Sequence, residues 1–190
     1  MKVINGKKDI LTIPNALSLF RLILAGCMLW VFYGTNIDNK REVMTALLIV
    51  SGFTDFADGK IARRFHMISE LGKILDPIAD KVTQGVLLVC LLSSYKVLRI
   101  VFVLFLVKEC YMAVEGLRVI QKTNQNEGAM WYGKVNTAVF YAVMFILLFV
   151  PGISETTGNA LCAVSGGFML LSFVLYARKY HKAIRSAGRK

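Results

Sequence analysis

Six runs of about twenty mostly apolar residues follow one another along this chain, and no other feature restricts its fold so strongly. A helix that crosses the hydrocarbon core of a bilayer needs ~20 such residues, and windows of that length fall at about 14–33, 43–62, 74–92, 97–119, 133–150 and 159–176. The links between them are too short for another domain, so the sequence predicts one all-α, polytopic membrane domain over residues 1–190 with six transmembrane helices. Composition agrees, since 56% of the residues are hydrophobic and 18% charged, more apolar surface than a soluble fold of 190 residues can hide. The first run follows Lys7 and Lys8 in the manner of a signal peptide. Its apolar stretch is too long, it contains Arg21 and no small-residue cleavage site follows, so it is read as retained. Residues 1–13 suit a short interfacial helix before the first span, and 177–190 form a basic cytoplasmic tail.

The net charge of +11, from 23 Lys and Arg against 12 Asp and Glu, would suggest nucleic acid in a soluble domain. Here the basic residues lie between and after apolar runs, which excludes a nucleic-acid binder and points to anionic lipid or phosphorylated substrates. Six spans put both termini on one side. One set of connections holds only Lys40, Arg41, Lys96 and Arg99, and nearly all other Lys and Arg fall on the opposite side. The positive-inside rule therefore predicts both ends in the cytoplasm. Cys27, Cys90, Cys110 and Cys162 each stand alone in an apolar run, without metal-site or disulfide spacing, and are read as packing residues.

The second and third runs carry ionisable residues in their cytoplasmic halves. Asp55, Asp58, Gly59, Ala62 and Arg63 fall at helical offsets 0, 3, 4, 7 and 8, which is one face; Gly72, Asp76 and Asp80 share a face of the next helix. Two such helices facing each other bring four carboxylates to one cavity at membrane depth. A charged residue near the bilayer centre costs ~2.5–3.5 kcal/mol on insertion scales, so something cationic must compensate. Oxygen ligands without His or Cys suit Mg²⁺ or Mn²⁺, which commonly bridge carboxylates and substrate phosphates. Gly59 and Gly72 remove side chains where a bulky ligand would approach the backbone.

The pattern DxxDGxxAR, eight residues, then GxxxDxxxD resembles the signature of the CDP-alcohol phosphotransferase family. Asp55, Asp58, Gly59, Ala62, Arg63, Gly72, Asp76 and Asp80 fill its fixed positions. The segment from Ile13-Pro14-Asn15 through Ser18 and Arg21, the run Asp76-Pro77-Ile-Ala-Asp80-Lys81, and the later Gly116-Leu-Arg118 and Gly133-Lys134 look most like the phosphatidylglycerophosphate synthase branch. Lys108-Glu109 departs from it, as that branch has Arg before Glu.

The resemblance implies that a CDP-linked lipid, CDP-diacylglycerol, binds with its diphosphate at two metal ions. An acceptor hydroxyl then attacks the phosphatidyl phosphorus and CMP leaves. It implies Asp55, Asp58, Asp76 and Asp80 as metal ligands, Asp80 also as the general base, and Asp58, Gly59, Ala62, Arg63 and Gly72 around the CDP-lipid. It also implies a homodimer. Two metals ~4 Å apart stabilise attacking and leaving oxygens together. The acceptor expected for this branch is glycerol 3-phosphate, a dianion that needs cations beyond those neutralising the aspartates. Lys81, Arg118 and Lys134, each at the predicted cytoplasmic end of a span, are the candidates. Arg21 reads as a partner for an acidic residue in the bundle, and Lys108 with Glu109 as a structural polar pair. The compact chain suits a bacterial inner membrane, with the site open to the cytoplasm.

Two alternatives remain at this stage. One is cardiolipin synthesis from CDP-diacylglycerol and phosphatidylglycerol, since cardiolipin synthases of this fold share the Pro-Asn and DPxADK segments. The other is a cation-binding or cation-transporting protein, which would need polar residues through both leaflets, and spans five and six carry almost none. Pro77 leaves the start of helix three open: a start near Glu70 puts the proline inside the helix, and a start at Asp76 puts it in the first turn.

Overall fold

The computed structural model describes residues 12–34, 36–64, 71–123 and 130–187, with backbone alone at 59, 62, 63, 73, 123 and 187. Six helices occur among them: α1 Ile13–Gly34, α2 Lys40–Arg64, α3 Gly72–Leu91, α4 Lys96–Thr123, α5 Trp131–Phe149 and α6 Glu155–Ala187. Each corresponds to one of the six expected spans, α3 and α5 ending one residue short of theirs, and no strand occurs among the described residues. The expected interfacial segment lies almost wholly outside the described residues. Three of the helices, α1, α5 and α6, are long and apolar enough to cross a membrane. In α2, α3 and α4 charged residues interrupt the apolar sequence.

The helix ends follow from local chemistry. At α1 the Thr12 hydroxyl accepts the Asn15 N–H at 3.4 Å, and Pro14 sits in the first turn, where its missing N–H has no helical partner to lose. Before α6, Pro151 and Gly152 form a turn in which Gly152 takes φ +75°, and Ser154 then caps the helix by accepting the Thr157 N–H at 3.1 Å. Helix α3 begins at Gly72, with the Leu75 N–H bonded to the Leu71 carbonyl at 2.9 Å. Pro77 is therefore inside the helix and leaves the carbonyl four residues earlier without its intrahelical donor. Gly72, Asp76 and Asp80 thus share one continuous helix.

The helices group into two compact units, residues 1–90 and 91–190. In the first, a short link makes α1 and α2 antiparallel neighbours that pack on each other. The buried positions of α1 run Asn15, Ser18, Arg21, Leu24, Ala25, Met28 and Val31. Those of α2 run Met44, Thr45, Leu48, Ser51, Thr54 and Asp58. Because the helices run in opposite directions, the polar half of α1 meets the polar half of α2 at one end, and the apolar halves meet at the other. Thr45 and Thr54 donate to the backbone carbonyls of Arg41 and Ser51, each at 2.8 Å, so their burial leaves no hydroxyl unpaired.

In the second unit α6 packs on both α4 and α5. Tyr176, Tyr180 and Val119 form a buried cluster, covered by Tyr111, Met112, Met130, Tyr132 and Ile184. Gly133 permits this: a Cβ there would lie 2.5 Å from Tyr176 Oη, which accepts the Met130 N–H at 3.0 Å. Helix α6 has 33 residues, about 50 Å at 1.5 Å per residue, longer than the ~30 Å hydrocarbon core. The basic segment after 176 therefore continues the helix to Ala187. Around the molecule, Trp30, Phe53, Phe56, Ile100, Val103 and Trp131 are all exposed, an outer surface suited to lipid and not to water.

Candidate functional site

The polar end of the first unit gathers the motif residues around one cation. Arg21, on α1, is 2% exposed. Its Nη1 bonds an Asp55 carboxylate oxygen, and its Nη2 donates to Asp58 Oδ2 at 3.0 Å and lies 3.8 Å from Asp76 Oδ1. Carboxylates from two helices thus converge on a guanidinium from a third. The Ser18 hydroxyl, one turn earlier on α1, lies between the Pro14 carbonyl at 3.0 Å and the Asp76 carboxylate, and its single proton serves either or is shared.

The four aspartates differ in exposure. The Asp58 side chain is 4% exposed and Asp55 59%, so one is held in the packing between helices and the other faces outward. Asp76 and Asp80 are intermediate. Asp80 accepts the Gln84 side-chain amide at 3.1 Å and lies 4.0 Å from Lys81 Nζ, which also reaches Gln84 Oε1 at 3.4 Å. Asp55 is within electrostatic range of both Asp76 and Asp80, so all four carboxylates act on one region. Gly72 is buried in the first turn of α3. The side chains of Ala62 and Arg63 and the surroundings of Gly59 lie outside the described residues.

A cavity of about 510 Å³ opens between the starts of α1 and α3, lined mostly by apolar groups of Ile13, Ala16, Leu19, Leu71 and Leu75. These residues flank Ser18 and Asp76 in sequence, so the cavity adjoins the carboxylate end.

The expected acceptor cations belong to different units, Lys81 to the first and Arg118 and Lys134 to the second. Arg118 is exposed near the end of α4 and pairs with Glu115 at 2.6 Å. Lys134 is exposed in the first turn of α5, two residues after Tyr132 of the aromatic cluster. Lys108 is buried in α4 and meets Glu109 at 2.5 Å, the structural pair expected from the sequence.

Ser18 and Gln84 were not marked as site residues by the sequence pattern, and Arg21 was given no more than a structural partner. A signal existed: Asn15, Ser18 and Arg21 recur every third residue in an otherwise apolar helix, a polar stripe on one face.

Among the described residues no group of three or more His, Cys, Asp or Glu stands close enough to hold a metal in this arrangement. The donor chemistry nevertheless fits one. Asp55, Asp58 and Asp76 converge on one guanidinium, and their donors are all oxygen, as a hard divalent cation prefers.

The sequence profile of the CDP-alcohol phosphatidyltransferase family matches residues 11–178. A Rickettsia felis protein named CDP-diacylglycerol–glycerol-3-phosphate 3-phosphatidyltransferase is 35% identical over 106 residues, 56% of this chain and 57% of that protein. A probable phosphatidylglycerophosphate synthase of Mycobacterium tuberculosis is 32% identical over 187 residues, 97% of this chain and 88% of its own length. A cardiolipin synthase (CMP-forming) of Streptomyces coelicolor is 43% identical over 74 residues, 38% of this chain and 34% of that protein. The chain thus matches little more than half the length of the Rickettsia protein and most of the mycobacterial one.

Proposed function

Because this chain belongs to the CDP-alcohol phosphatidyltransferase family, we propose that it transfers the phosphatidyl group of CDP-diacylglycerol to glycerol 3-phosphate, giving phosphatidylglycerophosphate and CMP. It is an integral membrane protein, with α1, α5 and α6 long and apolar enough to span. The observation that carries the reading is the convergence of Asp55, Asp58 and Asp76 on one end of the first unit, at the family motif.

In this reading Asp55, Asp58, Asp76 and Asp80 hold Mg²⁺ or Mn²⁺, which when bound neutralises the donor diphosphate and stabilises the departing CMP. The protein's own groups do the rest. Asp80, oriented by Gln84, takes the proton of the acceptor hydroxyl as its oxygen bonds to the phosphatidyl phosphorus and the bond from phosphorus to the CMP oxygen breaks. The motif positions Gly59, Ala62, Arg63 and Gly72 receive the nucleotide side of the donor, and the apolar cavity beside α1 and α3 is open to its acyl portion. The acceptor phosphate is assigned to Lys81, Arg118 and Lys134 from the sequence, by their charge and their predicted cytoplasmic ends. The proposal includes a homodimer and a cytoplasm-facing site in a bacterial inner membrane, supported in orientation by the asymmetry of Lys and Arg.

The test is to incubate purified protein with CDP-diacylglycerol and either glycerol 3-phosphate or phosphatidylglycerol, following CMP release and the lipid product. Phosphatidylglycerophosphate formed only with the first acceptor supports the proposal. Cardiolipin formed only with the second establishes the other branch, toward which the Streptomyces match over 74 residues points.

A further inference from the structure

Three carboxylates facing one another across two helices repel, and the cation that stands among Asp55, Asp58 and Asp76 is Arg21. Its guanidinium is buried and reaches all three, and its Nε has no hydrogen-bond partner, so the guanidinium is engaged through its terminal nitrogens alone. An arginine anchored by its carboxylates in this way stands where a metal needs their lone pairs. A cation approaching those oxygens meets a fixed positive charge among them.

We propose that Arg21 is a positioning residue for the metal site: its guanidinium keeps the carboxylates of Asp55, Asp58 and Asp76 gathered while no metal is bound, and it opposes the divalent cation when one enters. This rests on the metal-binding part of the proposed function. Two consequences follow that pull apart. Deleting the charge should loosen the metal-free protein, because the carboxylates lose their common partner, and it should tighten metal binding, because the competing cation is gone. A residue that served packing alone would give the first effect without the second.

The experiment uses the full chain in detergent, stripped of metal with a chelator and dialysed. Mn²⁺ affinity is measured by titration calorimetry, and unfolding is followed by tryptophan fluorescence with and without Mn²⁺, for the unmodified protein, Arg21→Met and Arg21→Gln. Repulsion between a monovalent and a divalent cation at close range in a protein interior exceeds a factor of ten before solvent and movement reduce it. Both variants should therefore bind Mn²⁺ about tenfold more tightly or better, unfold at a lower temperature in chelator, and gain more from Mn²⁺ than the unmodified protein does. The glutamine variant keeps a donor for Asp58 and guards against a failure of Arg21→Met to fold. Variants that fold only when Mn²⁺ is present also support the proposal. Equal or weaker Mn²⁺ binding by the variants, or failure of both to fold even with Mn²⁺, overturns it while leaving the metal reading in place. Absence of Mn²⁺ binding by the unmodified protein and both variants removes the metal reading and this inference together.

Discussion

Asp55 and Asp58 face the same guanidinium from the same helix, but replacing them by asparagine should have unequal effects on stability and equal effects on activity. Asp58 is 4% exposed and Nη2 of the buried Arg21 donates to it at 3.0 Å, whereas Asp55 is 59% exposed. Removing one partner of a buried ion pair costs ~3–5 kcal/mol when the other is left uncompensated. Arg21 keeps Asp55 and, at 3.8 Å, Asp76, and losing one of three like charges relieves some repulsion. Asp58→Asn should therefore fall at or below the lower end, about 2–3 kcal/mol. The Asp55 carboxylate is mostly in solvent and Arg21 keeps Asp58 without it, so Asp55→Asn should cost under about 1 kcal/mol, in the range of exposed ion pairs. The measurement is unfolding of metal-free protein by denaturing-detergent titration in chelator, alongside CMP release in Mg²⁺. Both variants should lose CMP release, since both are proposed ligands. A destabilisation by Asp55→Asn as large as that by Asp58→Asn would refute the argument from burial.

Other expectations concern the chemistry, the acceptor, the packing and the topology. Chelation should abolish CMP release and Mg²⁺ or Mn²⁺ restore it, and Asp80→Asn should lower kcat by ~10²–10⁴-fold with little change in donor binding; near-normal turnover would remove Asp80 from its role. Charge-assisted hydrogen bonds contribute ~1.5–3 kcal/mol each, so Arg118→Ala and Lys134→Ala should each raise the KM for glycerol 3-phosphate by about 10–100-fold while sparing CDP-diacylglycerol; an equal rise for both substrates would count against an acceptor site. Gly133→Ala places a Cβ 2.5 Å from Tyr176 Oη and should destabilise by about 1–3 kcal/mol, and adding Tyr176→Phe should recover part of this in thermal unfolding. With the native cysteines replaced, cysteine at Asn36 or Thr157 should react with an impermeant thiol reagent on intact cells and cysteine at Ser186 should not; the reverse pattern would invert the orientation.

Much of this organisation was legible in the residues, for identifiable reasons. Helix existence followed from runs whose length matches a bilayer, and the carboxylate faces on α2 and α3 followed from helical spacing, because both are local properties. The hub of the site was not local. Arg21 lies 34 residues from Asp55 and 37 from Asp58, and nothing short-range says which of its possible partners it meets. The end of α6 was missed for a different reason. A hydropathy window stops near Tyr176, where charges begin, but Tyr180, Ala183 and Ile184 keep the apolar side of the helix packed on the aromatic cluster while Arg178, Lys182 and Arg185 occupy the remainder. The start of α3 depended on whether a proline could be held inside a helix, which tertiary context decides and propensity does not.

The position of Arg21 also bears on how the chain enters a bilayer during synthesis. It is the ninth residue of α1, about 12 Å along the axis from the helix start at 1.5 Å per residue. A lone helix with an unaccompanied arginine at that depth is burdened by ~2.5–3.5 kcal/mol on insertion scales. The carboxylates that relieve it arrive only with α2, once the polypeptide has grown by a further 34 to 37 residues. Helix α2 is in the reverse position, since the buried Asp58 meets the guanidinium of α1. The buried arginine of α1 and the buried aspartate of α2 are thus relieved together, and the two helices settle in lipid as a hairpin whose charged ends are joined on one side.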